Sequence, residues 1–82
     1  MALYYFDLRD GDEIVPDEEG MELRDLLGVQ EEAARALAGL SWDAVRNLKG
    51  AQSHKMSIDV RDMNGPVMQV KFVIEVTRKQ QA

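Results

Sequence analysis

Eighty-two residues make one domain, in a size range where a single core is adequate but thin, and the absence of cysteine excludes disulfides, zinc–thiolate sites and cysteine nucleophiles. A formal net charge of −5 argues against general nucleic-acid binding, which needs clustered lysine and arginine to neutralise phosphates. No apolar run approaches the ~20 residues of a membrane span and no secretory pattern is visible at the N-terminus, so a soluble cytoplasmic protein without nucleic-acid or membrane partners is expected.

Charge is unevenly placed along the chain. Residues 1–32 carry eleven acidic and two basic side chains, a net of −9, and residues 33–82 carry four and eight, a net of +4. The two halves either neutralise each other within one fold or support pairing between subunits.

Residues 3–8, LYYFDL, alternate, with Tyr4, Phe6 and Leu8 on one face and Leu3, Tyr5 and Asp7 on the other. This period of two predicts a strand with one buried face. Residues 9–12 predict a turn, because Asp10-Gly11 supplies the positive φ of a short hairpin loop. Glu13, Ile14 and Val15 then return as a short second strand, which Pro16 ends or confines to a sheet edge. Asp17, Glu18, Glu19 and Gly20 predict a second turn with Gly20 left-handed. Met21, Glu22 and Leu23 read as a brief extension, and Asp25 as a cap for a short turn.

The strongest helical signal covers residues 29–49. Ala33, Ala34, Leu37, Leu40, Ala44, Val45 and Leu48 fall in one stripe about 140° wide. Glu31 and Glu32 suit its first turn, Lys49 its last, and Gly50 the position past its end. Residues 51–54 predict a polar linker that leaves His54 as an exposed loop residue. Residues 55–62 alternate strictly, with Met56, Ile58 and Val60 on one face. Asn64-Gly65 predicts a hairpin turn into a last strand over residues 67–77. Met68, Val70, Phe72, Ile74 and Val76 share one face of it, and Val67, Gln69, Lys71, Val73 and Glu75 the other. Residues 78–82 are expected to be a disordered tail. The pattern predicts a single α+β domain over residues 1–77, a two-layer ββαββ arrangement in which one helix lies on one face of a four-stranded, mainly antiparallel sheet.

The acidic run is the first candidate for chemistry. An EF-hand loop wants oxygen ligands at positions 1, 3, 5 and 12 and glycine at 6. Counted from Asp10, Asp12 fits position 3, but Ile14 falls at 5, Val15 at 6 and Met21 at 12, so the match fails. A looser set of Asp10, Asp12, Asp17 and Glu18 needs two turns at opposite ends of a short strand to converge. No metal, cofactor or catalytic residue is expected. The chain has one histidine and no cysteine, its serines (Ser41, Ser53 and Ser57) sit in no strand-to-helix elbow, and its glycines occur singly. Asp7, mid-strand and away from the helix, needs a cation such as Arg61 or Lys71 opposite it if that face is covered.

Residues 4–11 (YYFDLRDG), 17–23 (DEEGMEL), 31–37 (EEAARAL) and 58–65 (IDVRDMNG) resemble, in that order, a family of short bacterial proteins of unknown function common in alphaproteobacteria, especially rhizobia and their relatives. Members look like "YYFHLRDG…DEEGxEL…A…EA" followed by "IEVRDExG". The resemblance covers about residues 3–76 and implies a bacterial source, with no activity to carry over. This chain departs at Asp7, where histidine is frequent, so it would lack any site that used that histidine.

The expected function is a non-catalytic protein–protein interaction module, homodimeric or with an unidentified protein partner, whose surface includes Leu3, Tyr5, Trp42, Val67 and Val73. These are aromatics off the core stripe and apolar residues on the far sheet face. The alternative is an acidic, antitoxin-like inhibitor of a basic nucleic-acid-binding protein, with Asp10, Asp12, Asp17, Glu18 and Glu19 standing in for phosphates.

Overall fold

The alternating aromatics at the N-terminus form β1 (Ala2–Asp10) in a computed structural model that describes residues 1–46, 53–77 and 79. Gly11 and Asp12 turn the chain into β2 (Glu13–Val15), and Gly11 alone of the two has a positive φ, 62°, as in a type II′ hairpin loop. β2 pairs with residues 8–10 of β1 and stops before Pro16. Met21, Glu22 and Leu23, expected only as an extension, form a separate strand, β3 (Met21–Leu23), paired with residues 2–4 of β1. The sheet therefore has five strands rather than four, and the order is βββαββ. The extra strand exists because the chain leaves β1 at Pro16 and rejoins it, so that β2 and β3 are two pieces of one interrupted edge.

α1 (Leu26–Arg46) starts three residues before the expected Val29. Asp25 caps the whole helix rather than a short turn. Its Oδ1 accepts the Gly28 N–H at 2.9 Å and its carbonyl accepts the Val29 N–H at 3.2 Å. The row that enters the core is Val29, Ala33, Leu37 and Ser41, each four residues on from the last, whereas Ala34, expected in the stripe, is exposed. Ser41 is tolerated there because its hydroxyl donates to the Ala38 carbonyl at 2.9 Å. The expected helix end at Lys49 and Gly50 and the first linker residues lie outside the described residues, as does the expected tail apart from Lys79.

β4 (Ser53–Asp62) and β5 (Gly65–Glu75) complete an antiparallel sheet in the order β2-β1-β4-β5. The hairpin loop is Met63-Asn64, tightened by the Asn64 N–H donating to Asp62 Oδ1 at 2.8 Å, and Gly65 opens β5 with a φ of 124°. A register shift follows, in which Arg61 faces Pro66 and Val60 faces Met68. It inserts Val67 as an extra residue and turns it toward the core, correcting its expected place on the far face.

The core is Tyr4, Val29, Ala33, Leu37, Met56, Ile58 and Val60, with Phe6, Leu8, Val70 and Phe72 packed around it. α1 lies over β4 and β5. No helix among the described residues is long and apolar enough to cross a membrane.

Candidate functional site

The face of the sheet away from α1 is expected to mix Leu3, Tyr5, Val67 and Val73 with Asp7, Gln69, Lys71 and Glu75; its centre is a charge lattice, with Leu3 and Val73 exposed toward its two ends. Register sets Asp7 directly opposite Asp59, a repulsive pairing on its own. Each carboxylate is neutralised by an arginine one step along the ladder. Arg61 donates from Nε to Asp7 Oδ2 at 2.8 Å, and Arg9 donates from Nε to Asp59 Oδ2 at 3.2 Å. Gln69 and Ser57 also donate to Asp59 Oδ1, at 2.8 and 3.4 Å. Partial burial pushes the Asp59 carboxyl up, but the Gln69 and Arg9 donors outweigh it and hold the group below the usual carboxylate range.

Arg61 extends this lattice to the interrupted edge. Its Cζ lies 4.5 Å over the Tyr5 ring, and Nη2 donates to the Asp17 carbonyl at 3.1 Å. Hydrogen bonding to Asp7 raises the Arg61 pKa above its ordinary value. Asp17 replaces the ladder where the edge strand is broken. Its Oδ2 accepts the Phe6 N–H at 3.0 Å, and its own N–H donates to Asp7 Oδ1 at 2.8 Å. Its Oδ1 accepts the Glu19 and Gly20 N–H groups at 3.1 and 3.2 Å. Partial burial pushes the Asp17 carboxyl up, yet these three donors, with Arg61 nearby, hold it below the usual range.

Two of the five expected recognition-loop acids are therefore engaged within the domain. Asp17 belongs to the edge, and Asp10 Oδ1 lies 2.6 Å from His54 Nε2. His54, expected in a loop, is in β4, because that strand starts at Ser53 and brings the imidazole beside the end of β1. Asp12, Glu18 and Glu19 remain exposed.

The expected interface residues do not form one patch. Leu3 lies beyond the Tyr5–Arg61 level of the sheet, whereas Val73 pairs with Lys55 near its other end. About eight strand residues, roughly 27 Å, separate those levels. Tyr5 is covered by Arg61. Trp42 is different, since 64% of its surface is exposed on α1. Between the same helix and β5 runs a groove of about 260 Å³, lined by Ala34, Ala38 and Ser41 on one side and Val70, Lys71 and Phe72 on the other. A second groove, about 570 Å³, follows the β4–β5 bulge past Asp7, Asp59, Arg61 and Gln69.

Sequence reasoning named Arg61 as a possible partner of Asp7 but missed the edge role of Asp17 and the contact between His54 and Asp10. The signal for the first was an aspartate three residues before Gly20, the spacing of a side-chain-capped turn.

Among the described residues these features define a small α+β domain with an antiparallel sheet, one helix and two differently finished sheet edges. The chain belongs to the family described as a domain of unknown function (DUF6894), whose model matches residues 3–73. No curated protein and no solved structure matches it.

Proposed function

We propose that this chain acts as a non-catalytic protein–protein interaction module that works through the β5 side of the domain. The observation that carries this reading is the largest exposed aromatic, Trp42, on the helix that packs over an eleven-residue strand with one neighbouring strand among the described residues. Tryptophan brings large contact area and an N–H donor to an interface, and a long strand edge offers backbone groups to a partner. The non-catalytic part is supported by the use already made of the acid–base groups. Asp7, Asp17 and Asp59 are committed to the lattice, and His54 to Asp10. The acidic-mimic alternative is weakened by the engagement of Asp10 with His54 and of Asp17 with the sheet edge, which leaves it three fully exposed loop acids.

Light scattering coupled to size exclusion, run over a concentration series with and without a host extract, tests the proposal. A species heavier than the monomer is expected. A chain that stays monomeric at every concentration and gains no partner from the extract would sink it.

A further inference from the structure

We infer that the partner is a second copy of this chain, joined by antiparallel pairing of β5 with β5 about a two-fold axis at Val73, with the two helices meeting at Trp42. This rests on the interaction-module reading and specifies its partner and register. β5 runs from Gly65 to Glu75 and, among the described residues, has β4 on one side only; past its bulge at Val67 it is regular from Met68 to Glu75, and such an edge is a template for another strand.

Charge selects the register. Residues directly opposite across an antiparallel pair share a face, so a symmetric pairing centres on one residue. A centre at Lys71 sets that lysine against its own copy. Centres at Val70 or Phe72 leave Lys71 and Glu75 facing uncharged residues. A centre at Val73 sets Lys71 opposite the partner's Glu75, twice by symmetry, and Phe72 opposite the partner's Ile74. Both charged side chains are exposed, and neither makes an ion pair among the described residues.

The helix agrees with that register. The groove between α1 and β5 has no β4 residue in its lining, so it opens over the free edge. Ala34, Ala38, Ser41 and Val45 recur at spacings of four, three and four, a seam of mostly small side chains on this flank of α1. With each helix above β4 and β5, a two-fold axis at the free edge brings the helix axes about 10 Å apart at the usual strand spacing. Packed helices lie at about that distance.

The helix starts beside Ala2 and returns to Ser53 near the other end of β1, so it runs in the direction of β1 and β5. Groove residues of the helix centre near Ala38, level with Lys71. Two further strand residues, about 7 Å, correspond to roughly four or five helical residues. The axis at Val73 therefore falls level with Trp42, which explains an exposed tryptophan on a helix flank.

The test uses the full chain and reads mass by light scattering and environment by the fluorescence of Trp42, the single tryptophan. Wild type is expected to dimerise, with Trp42 emission moving to shorter wavelength on association. Lys71→Glu and Glu75→Lys should each weaken the dimer by about tenfold or more, and the double exchange should restore it. Equimolar mixing of the two single variants should give a heterodimer, because each then meets its opposite charge. Circular dichroism checks that every variant folds, and heterodimer recovery itself requires folded chains. A Lys71→Glu dimer as tight as wild type would overturn the β5 register and leave the interaction reading standing. A strictly monomeric wild type with unchanging Trp42 emission, but with a partner in host extract, would overturn self-pairing alone. The same result without any partner removes both.

Discussion

Along one edge of the sheet the chain runs as β2, five residues of loop and β3; along the other, β5 runs for eleven residues as a single strand. The first edge is filled from within. Asp17 takes the Phe6 N–H, Arg61 reaches across Tyr5 to hold the loop, and Gly20 turns the chain back onto β1. The second keeps, among the described residues, an unpaired backbone edge and an exposed lysine and glutamate, under a helix that bears an exposed tryptophan. Interruptions, bulges and charge are how sheets prevent unwanted strand addition. The first edge is broken at Pro16 and its loop, whereas β5 carries Pro66 and its one-residue bulge near its start and then runs regularly beside β4 from Met68 to Glu75.

The largest expected effect tests the closed edge. Gly20 has a φ of 77°, and a Cβ there would stand 3.0 Å from the Leu3 and Tyr5 side chains and 3.1 Å from the Tyr4 carbonyl. Gly20→Ala should therefore cost roughly 2–3 kcal/mol in urea denaturation, from the strained backbone and the overlap together. A cost below about 0.5 kcal/mol would mean that the turn is not fixed as described.

Asp17→Ala should come next, at about 1–2 kcal/mol, because the part-buried Phe6 N–H loses its acceptor along with two turn donors. The same carboxylate sets an acid limit. Asp17 and Asp59 both have folded-state pKa values below their ordinary ones. Their contribution is thus complete above the unfolded carboxylate pKa of about 4 and is lost as pH falls through the lower folded values. Thermal unfolding of wild type should show declining stability below about pH 4, and Asp17→Ala should flatten that decline. An unchanged acid slope in the variant would assign the loss to other groups.

The smallest effect on the monomer belongs to the open edge. Ala38→Glu, at an exposed helix position, should change monomer stability by no more than about 0.5 kcal/mol, yet reduce self-association measured by light scattering. Trp42→Ala should behave in the same way. A Trp42→Ala monomer destabilised by more than about 2 kcal/mol would instead make that residue part of the fold and erase the contrast between the edges.

Much of this was legible before the structure. Alternation in residues 55–62 and 67–77 marked the long hairpin, and the apolar spacing of residues 33–45 marked the helix, because side-chain periodicity is a local property of the backbone. Pro16 marked the end of the short second strand through its fixed φ and missing N–H, and Gly20 marked a turn through its access to positive φ. Other features depended on register. That Asp7 faces Asp59, that Arg61 reaches both Asp7 and Asp17, and that His54 meets Asp10 all follow from which β1 residue lies beside which β4 residue.

By itself, then, the sequence determined an α+β domain, its strand and helix periodicities, its turn-forming glycines and its uneven charge. Tertiary structure decided that the centre of the far face is a charge lattice, because cross-strand register governs which charges meet. It also decided that Val67 turns inward through a one-residue slip, and that Trp42 stays exposed on the helix that lies over β4 and β5. Those outcomes depend on contacts between residues far apart in the chain, which no local pattern encodes.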